Sequence, residues 1–355
     1  MTKSFSHPPA KLCLLRLSAI GDVSHVLPTL RTLQHHWPEA EITWIIGKTE
    51  LALVRDIAGI EFIVYDKSQG WRALFNLVRL LRHRRFDLLL NMQASLRATL
   101  ASLAVHTPLR LGFDRARARG LQWLTTNMTI NPSPCQHVLD SFLAFPQALG
   151  LEIPEIRWDI PIPEEACNKV KELLPKQQPF LVINPCSSLR ARNYRNWSPL
   201  SYARIADNAS EKYGMVTVLT GGPSPYEMAY AEEITRAART NLFNLVGRTS
   251  LNELLAVLSL ARVTIAPDTG PAHLANAVGT PVVGLYATSN PERTGPYLRR
   301  ELTVNAYPRA VQAEFGKPVE LIPWGRRVRN PNAMDLISTD EVLEKLAMAL
   351  TPQRA

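Results

Sequence analysis

Two acid-and-glycine turns in this 355-residue chain carry side chains that can do chemistry. The first is Ser18-Ala19-Ile20-Gly21-Asp22-Val23-Ser24-His25, directly after an apolar run. Gly21 lets the backbone turn tightly or approach a ligand. Asp22 supplies a carboxylate able to take a proton from a nucleophile, or simply a cap for the helix that follows. The second is Ala266-Pro267-Asp268-Thr269-Gly270-Pro271-Ala272-His273-Leu274. A helix that starts here points unpaired N–H groups and a positive dipole end at whatever lies before it, which suits a phosphate. Thr269 adds a hydroxyl, Gly270 permits close approach, and His273 follows one turn later. The plainer alternative is a capped helix with His273 packed on a sheet.

Three further segments belong with these. Asn184-Pro185-Cys186-Ser187-Ser188 leads through Arg190, Arg192 and Arg195 to Trp197. Hydroxyls beside guanidiniums suit a diphosphate, because Arg binds phosphate as a fork; an exposed basic loop is the alternative. Thr220-Gly221-Gly222-Pro223 is followed by Glu227, which fits either a ribose diol or a helix first turn. Arginines crowd two regions, Arg72, Arg79, Arg82, Arg84 and Arg85 in one and Arg110, Arg115, Arg117 and Arg119 in the other. They fit a solvated face or an acceptor bearing phosphate or carboxylate. Aromatics do not interleave with them as single-stranded nucleic acid requires, and no nucleic-acid motif is present.

The elements that must position these residues alternate. Strands are expected at Lys11–Leu17, Glu41–Ile46, Glu61–Tyr65 and Phe86–Asn91, with a turn at Ser18–Asp22 and then a helix to about Trp37, and another helix around Trp71–His83. After a Pro-rich loop at Asn131–Pro134 and a helix at His137–Leu149, the pattern restarts. Strands are expected at Pro179–Asn184, Met215–Thr220, Leu242–Val246, Arg262–Ala266 and Pro281–Tyr286. Helices alternate with them, and Thr339–Leu350 closes the chain's periodic part. Such alternation implies βαβ units and parallel sheets. In open α/β sheets ligands bind beyond the carboxyl ends of the strands, where all the segments above fall. The expected division is an N-terminal Rossmann-like domain over 1–160, a linker region over 161–178 marked by Pro154, Pro161 and Pro163, and a second Rossmann-like domain over 179–355. Length agrees, at about 150 residues per domain.

Composition bounds the partners. Lys plus Arg is 40 and Asp plus Glu is 31, a net charge of +9, which favours an anionic partner. No apolar run is long enough to span a bilayer, and no signal-peptide pattern opens the chain. Cys13, Cys135, Cys167 and Cys186 are scattered without a CxxC, so neither a zinc site nor a disulfide framework is expected, and a cytoplasmic protein is. The turn after the first strand is not GxGxxG, which argues against a dinucleotide dehydrogenase.

The order of the Ser-Ala-Ile-Gly-Asp-Val-Ser-His turn, Arg195-Asn196-Trp197 and Asp268-Thr269-Gly270-Pro271-Ala272-His273 resembles the bacterial lipopolysaccharide heptosyltransferases of glycosyltransferase family 9, across nearly the whole chain. The tail Pro323–Ile337 is most similar to members that add the first inner-core heptose. The resemblance implies a GT-B fold, two facing Rossmann-like domains with a deep cleft between them. It implies an ADP-heptose donor held by the second domain, and a Kdo–lipid A acceptor held by the first at the cytoplasmic face of the inner membrane, to which the protein would attach peripherally. It makes Asp22 the catalytic base. It makes Ser187, Ser188, Arg195, Glu227, Arg248, Thr249, Asp268, Thr269, Gly270 and His273 the donor-binding set, and Arg117, Arg119 and His137 the acceptor-binding set. Arg195 stands where the family usually has Lys, and the 188–195 loop is longer than usual. No cofactor or metal is expected, because positive groups can stabilise the leaving diphosphate. Transfer to a later core heptose or to a protein hydroxyl, a sugar-nucleotide epimerase, and a non-enzymatic nucleotide- or nucleic-acid-binding module are the alternatives.

Overall fold

Leu12, Cys13, Leu14 and Leu15 are wholly buried, and a strand buried on both faces belongs in the middle of a parallel sheet. The computed structural model, which describes residues 8–175, 178–187 and 193–351, puts it there. The chain divides into two units, Met1–Pro161 and Ile162–Ala355.

The first unit runs β1 (Lys11–Leu15), α1 (Ile20–His36), β2 (Glu41–Gly47), α2 (Lys48–Val54), β3 (Ile60–Tyr65), α3 (Trp71–Leu81), β4 (Leu88–Asn91), α4 (Leu96–Leu103), β5 (Leu109–Gly112), β6 (Met128–Thr129) and α5 (Val138–Ala148). Its six strands are parallel in the order β3-β2-β1-β4-β5-β6. Cys13 and Leu15 of β1 and Leu89 of β4 pack on Ala73, Leu77 and Leu81 of α3 and Ala98 and Ala101 of α4. Each buried Leu contributes roughly 1.5–3 kcal/mol.

The second unit runs α6 (Glu164–Leu173), β7 (Phe180–Ile183), α7 (Pro199–Tyr213), β8 (Val216–Leu219), α8 (Pro225–Ala237), β9 (Leu242–Asn244), α9 (Leu251–Leu260), β10 (Val263–Pro267), α10 (Gly270–Ala277), β11 (Val282–Tyr286), α11 (Pro291–Thr294), β12 (Val304–Asn305), α12 (Tyr307–Phe315) and α13 (Thr339–Leu350). The strand order is β12-β11-β10-β7-β8-β9, again all parallel. Read from the other edge, it is the first unit's order. In each sheet the order reverses beside the first strand of the unit, so the switch points lie at the carboxyl ends of β1/β4 and of β7/β10. Those ends are where a doubly wound sheet opens a crevice. The α/β class with two parallel sheets is therefore the fold.

Three differences from the sequence reading have local causes. The expected linker 161–178 contains α6, which starts with Glu164 and Glu165 in its first turn and buries Ala166 and Val170. The prolines before it hid a helix that Pro163 actually introduces, since Pro costs nothing where a helix has no N–H partner. Arg110 is not in a loop with Arg115 and Arg119 but in β5, where its guanidinium folds back on the carbonyls of Ser102, at 2.8 Å, and Val105. The short elements α2, α4, β6 and α12 fall below the length at which periodicity is legible.

Candidate active site

At the first switch point, β1 runs into α1 through the turn at Ser18. Gln93, just beyond β4, accepts hydrogen bonds from the backbone N–H groups of Leu17 (2.7 Å) and Ser18 (3.2 Å), tying the turn to the neighbouring strand end. Asp22 is the third residue of α1. Its Oδ2 takes a long 3.4 Å bond from Ala19 N–H, so it does contribute to capping. Its dominant partner is Arg16, whose guanidinium forms an ion pair with the same Oδ2. The Asp22 side chain is still 39% exposed, and no described residue donates a hydrogen bond to Oδ1. Arg16, by contrast, is buried, donates to the Met92 carbonyl at 2.7 Å and lies 5.2 Å from the Phe142 ring centre. A fixed, buried cation thus holds one oxygen of an open carboxylate, leaving the other to accept a proton.

The second switch point is built the opposite way. Asp268 ends the β10 turn and is 8% exposed. Arg195 Nη1 donates to its backbone carbonyl at 2.6 Å and sits 3.2 Å from its Oδ2; Ser289 Oγ donates to Oδ2 at 2.8 Å; His273 Nε2 lies 3.8 Å from Oδ1. Burial alone would raise the Asp268 carboxyl. The neighbouring His273, the charge of Arg195 and the Ser289 hydroxyl outweigh it and hold the group below the ordinary carboxylate range. Asp268 is therefore a fixed anion that orients Arg195 and His273. Beside it, Thr269 begins α10 without using its side chain as a cap. Its buried Oγ1 has no hydrogen-bond partner among the described residues. The N–H groups of Gly270 and Ala272, in the first turn, have no acceptor within their own helix. A buried hydroxyl, two such donors and an adjacent guanidinium form an anion site.

Ser187 is buried after β7. Its N–H donates to Asn196 Oδ1 at 2.8 Å, and Asn193 donates to its Oγ at 2.8 Å. Neighbouring Cys186 is inert: burial, with the Glu227 charge, pushes its thiol up to about 12. Glu227 reaches back from α8 to the N–H of Gly222 at 2.6 Å and takes the Ser224 hydroxyl at 3.1 Å. A side chain at Gly221 or Gly222 would bring its Cβ within 3.0 Å of that carboxylate, which is why the turn is glycine. Arg248 is exposed and Thr249 half-buried in the turn before α9; no hydrogen bond or ion pair joins either to Asp268. Ser188, with Arg190 and Arg192, lies outside the described residues.

The three residues assigned to the acceptor separate. Arg117 is committed internally, paired with Asp114 and donating to Gln136 Oε1 (2.6 Å), Ser141 Oγ (3.2 Å) and the Asn131 carbonyl (2.8 Å). It shapes the loop. Arg119 is exposed. His137 is buried, caps α5 by accepting Leu139 N–H at Nδ1 (3.1 Å), and meets the His25 ring edge-on at 5.7 Å. Among the described residues no group of three or more His, Cys, Asp or Glu could hold a metal ion. No helix among them is long and apolar enough to cross a membrane.

Arg16, Gln93 and Ser289 were not singled out from the sequence, and Asn196 only as part of a motif. A signal existed for each. Arg16 is a charge closing an apolar strand, and Gln93 and Ser289 are polar residues just after strands. Inspecting every strand end, rather than those followed by glycine, finds them.

The chain is similar to known proteins in sequence and fold. Residues 74–324 match the family described as glycosyltransferase family 9 (heptosyltransferase). The chain is 36% identical over 342 residues to the lipopolysaccharide core heptosyltransferase OpsX of Haemophilus influenzae, covering 96% of this chain and 97% of that one. Among crystal structures, a family 9 glycosyl transferase from Veillonella parvula superposes with a TM-score of 0.81 at 20% identity, covering 98% of this chain and 99% of that one. The Escherichia coli heptosyltransferase WaaC with ADP superposes with a TM-score of 0.72 at 18% identity, covering 96% and 99%.

Proposed function

The chain belongs to glycosyltransferase family 9, the heptosyltransferases, and from that premise we propose that it transfers heptose from ADP-heptose to the Kdo–lipid A inner core of lipopolysaccharide, inverting the anomeric centre. The observation that carries the donor half is the start of α10, where a buried Thr269 hydroxyl without a partner among the described residues and first-turn N–H groups lie beside Arg195. That is a site for a diphosphate.

In this reading the first unit supplies the base and the second the donor site. Asp22 Oδ1 takes the proton of the acceptor hydroxyl as its oxygen bonds to the anomeric carbon. The bond from that carbon to the diphosphate breaks on the opposite side, and the electron pair leaves with ADP. Arg195, Ser187 and the first turn of α10 stabilise the charge that ADP gains, as preorganised donors do. With those positive groups in place the reaction is proposed to need no metal. Asp268 and Ser289 act by holding Arg195 and His273. Glu227 accepts the ribose hydroxyls, since a carboxylate already taking two bonds has further lone pairs to offer. Arg248 and Thr249 border the adenine. Arg119 meets the acid sugars of the acceptor, with Arg117 and the buried His137 shaping the segment behind it. The protein works peripherally at the cytoplasmic face of the inner membrane, where that acceptor is made.

The position of the heptose is tested by incubating the protein and ADP-heptose with purified Kdo–lipid A, and separately with the same acceptor already carrying one heptose. Modification of the first supports the reading. Modification of the second alone assigns the protein to a later core heptose.

A further inference from the structure

Helix α3 carries two apolar faces where its place in the fold needs one. Ala73, Leu77 and Leu81 point inward and are buried against the sheet. Trp71, Phe75 and Val78, spaced by four and three residues, line the opposite face. Trp71 is 71% exposed and Phe75 75%. Burying such rings is worth so much that a contiguous exposed strip of them marks a contact surface.

The charges within the segment that carries the strip are all of one sign. From 67 to 86 the chain has six Lys or Arg and no Asp or Glu. Arg84 is paired with Glu61, but Arg72, Arg79 and Arg82 make no ion pair among the described residues. At one hundred degrees per residue, Arg82 falls within the aromatic strip and Arg79 and Arg72 along its edge. The sequence reading saw these arginines without interleaved aromatics. Helical periodicity, not adjacency, sets Trp71 and Phe75 among them.

We propose that this outer face of α3 docks the protein on an anionic phospholipid bilayer, with Trp71 and Phe75 entering the headgroup boundary and Arg72, Arg79 and Arg82 meeting lipid phosphates. Amphipathic helices lie in the interface by this combination of aromatic insertion and basic attraction. A convex apolar strip also suits a flat interface better than a nucleic-acid strand, which is tracked by a groove. The reading deepens the proposed membrane location, but it concerns bulk lipid and not the acceptor, so the two fail separately.

The test is co-sedimentation of the full chain with vesicles of zwitterionic phospholipid, with and without phosphatidylglycerol, first with no glycolipid present and then, in a separate arm, with the glycolipid acceptor added. Binding to the anionic vesicles, weakened by salt, is expected. Trp71→Ala with Phe75→Ala should reduce it about tenfold or more, and Arg79→Gln with Arg82→Gln by roughly tenfold. Because all four side chains are exposed, thermal unfolding and transfer to a detergent-dispersed acceptor should be unchanged in both variants. Four results overturn the proposal: no binding by the unsubstituted chain, equal binding by the aromatic variant, binding only when vesicles contain the glycolipid acceptor, or an aromatic variant whose loss appears instead in self-association or oligonucleotide binding. Loss of transfer to every acceptor, with vesicle binding intact, would strike the proposed function and leave this surface standing.

Discussion

Asp22 and Asp268 both lie at the switch points of two sheets of the same strand order, Asp22 after β1 and Asp268 after β10, the counterpart of β4, yet their surroundings are opposite. Each follows a strand at a switch point and stands at the start of a helix. Asp22 has one buried cation on one oxygen and a 39% exposed side chain. Asp268 is 8% exposed and is met by Arg195, His273 and Ser289. One carboxylate is held but open, as a proton acceptor must be. The other is closed, so its charge can only position other groups. The comparison shows that an acid at a strand end is not yet a catalytic acid; what the neighbouring strands bring to it decides.

The sharpest way to break the comparison is to remove both acids. Asp268→Ala leaves Arg195 buried without its counter-charge and should cost about 3–5 kcal/mol of stability, measured by urea unfolding. A loss within about 0.5 kcal/mol, typical of surface sites, would make Asp268 no more structural than Asp22. Asp22→Asn should lower turnover on the order of a hundredfold or more while ADP affinity holds, and unfolding should shift by under about 1 kcal/mol because the amide oxygen still accepts from Arg16, which also keeps the Met92 carbonyl. Near-normal turnover removes Asp22 from the base role. Arg16→Met sharpens the same point. Turnover should fall roughly tenfold through loss of orientation, with the KM for ADP-heptose unchanged; a KM effect alone would place Arg16 on the donor side. Thr269→Val should weaken ADP about fivefold by calorimetry, the worth of one neutral hydrogen bond, without destabilising the chain, since its hydroxyl has no partner to lose. Marked destabilisation would show that the hydroxyl serves the fold. The smallest effect is in pH. A carboxyl held below its ordinary value of 3.8 binds fewer protons folded than unfolded, so Asp268 stabilises the fold above that value. Its contribution fades as pH falls through the lower folded value. Asp268→Asn should therefore flatten the acid limb of a stability–pH curve, and an unchanged limb would contradict the ion-pair account.

Much of this was legible beforehand. Strands β1, β7 and β10 are apolar runs closed by a turn, and short-range preferences set both. Capped starts such as Ser250 with Glu253 and Ser338 with Glu341 are equally local, because each side chain bonds a backbone N–H three residues away. Helix α6 was not legible, since its prolines read as linker until Pro163 is seen to open the helix. Arg117 was misleading for a related reason: a run of arginines gives no hint that Asp114, Gln136 and Asn131 converge on one member of it.

The sequence alone determined the alternation of strand and helix, the positions of the Asp22 and Asp268 turns, and the excess of positive charge. Those depend on residues within a few positions of one another. Only the tertiary structure decided which acid is open and which closed. The partners that close Asp268 come from far along the chain, Arg195 from 73 residues before it and Ser289 from 21 after it. Sheet order brings them together, and burial then sets what each charge costs and what it can do.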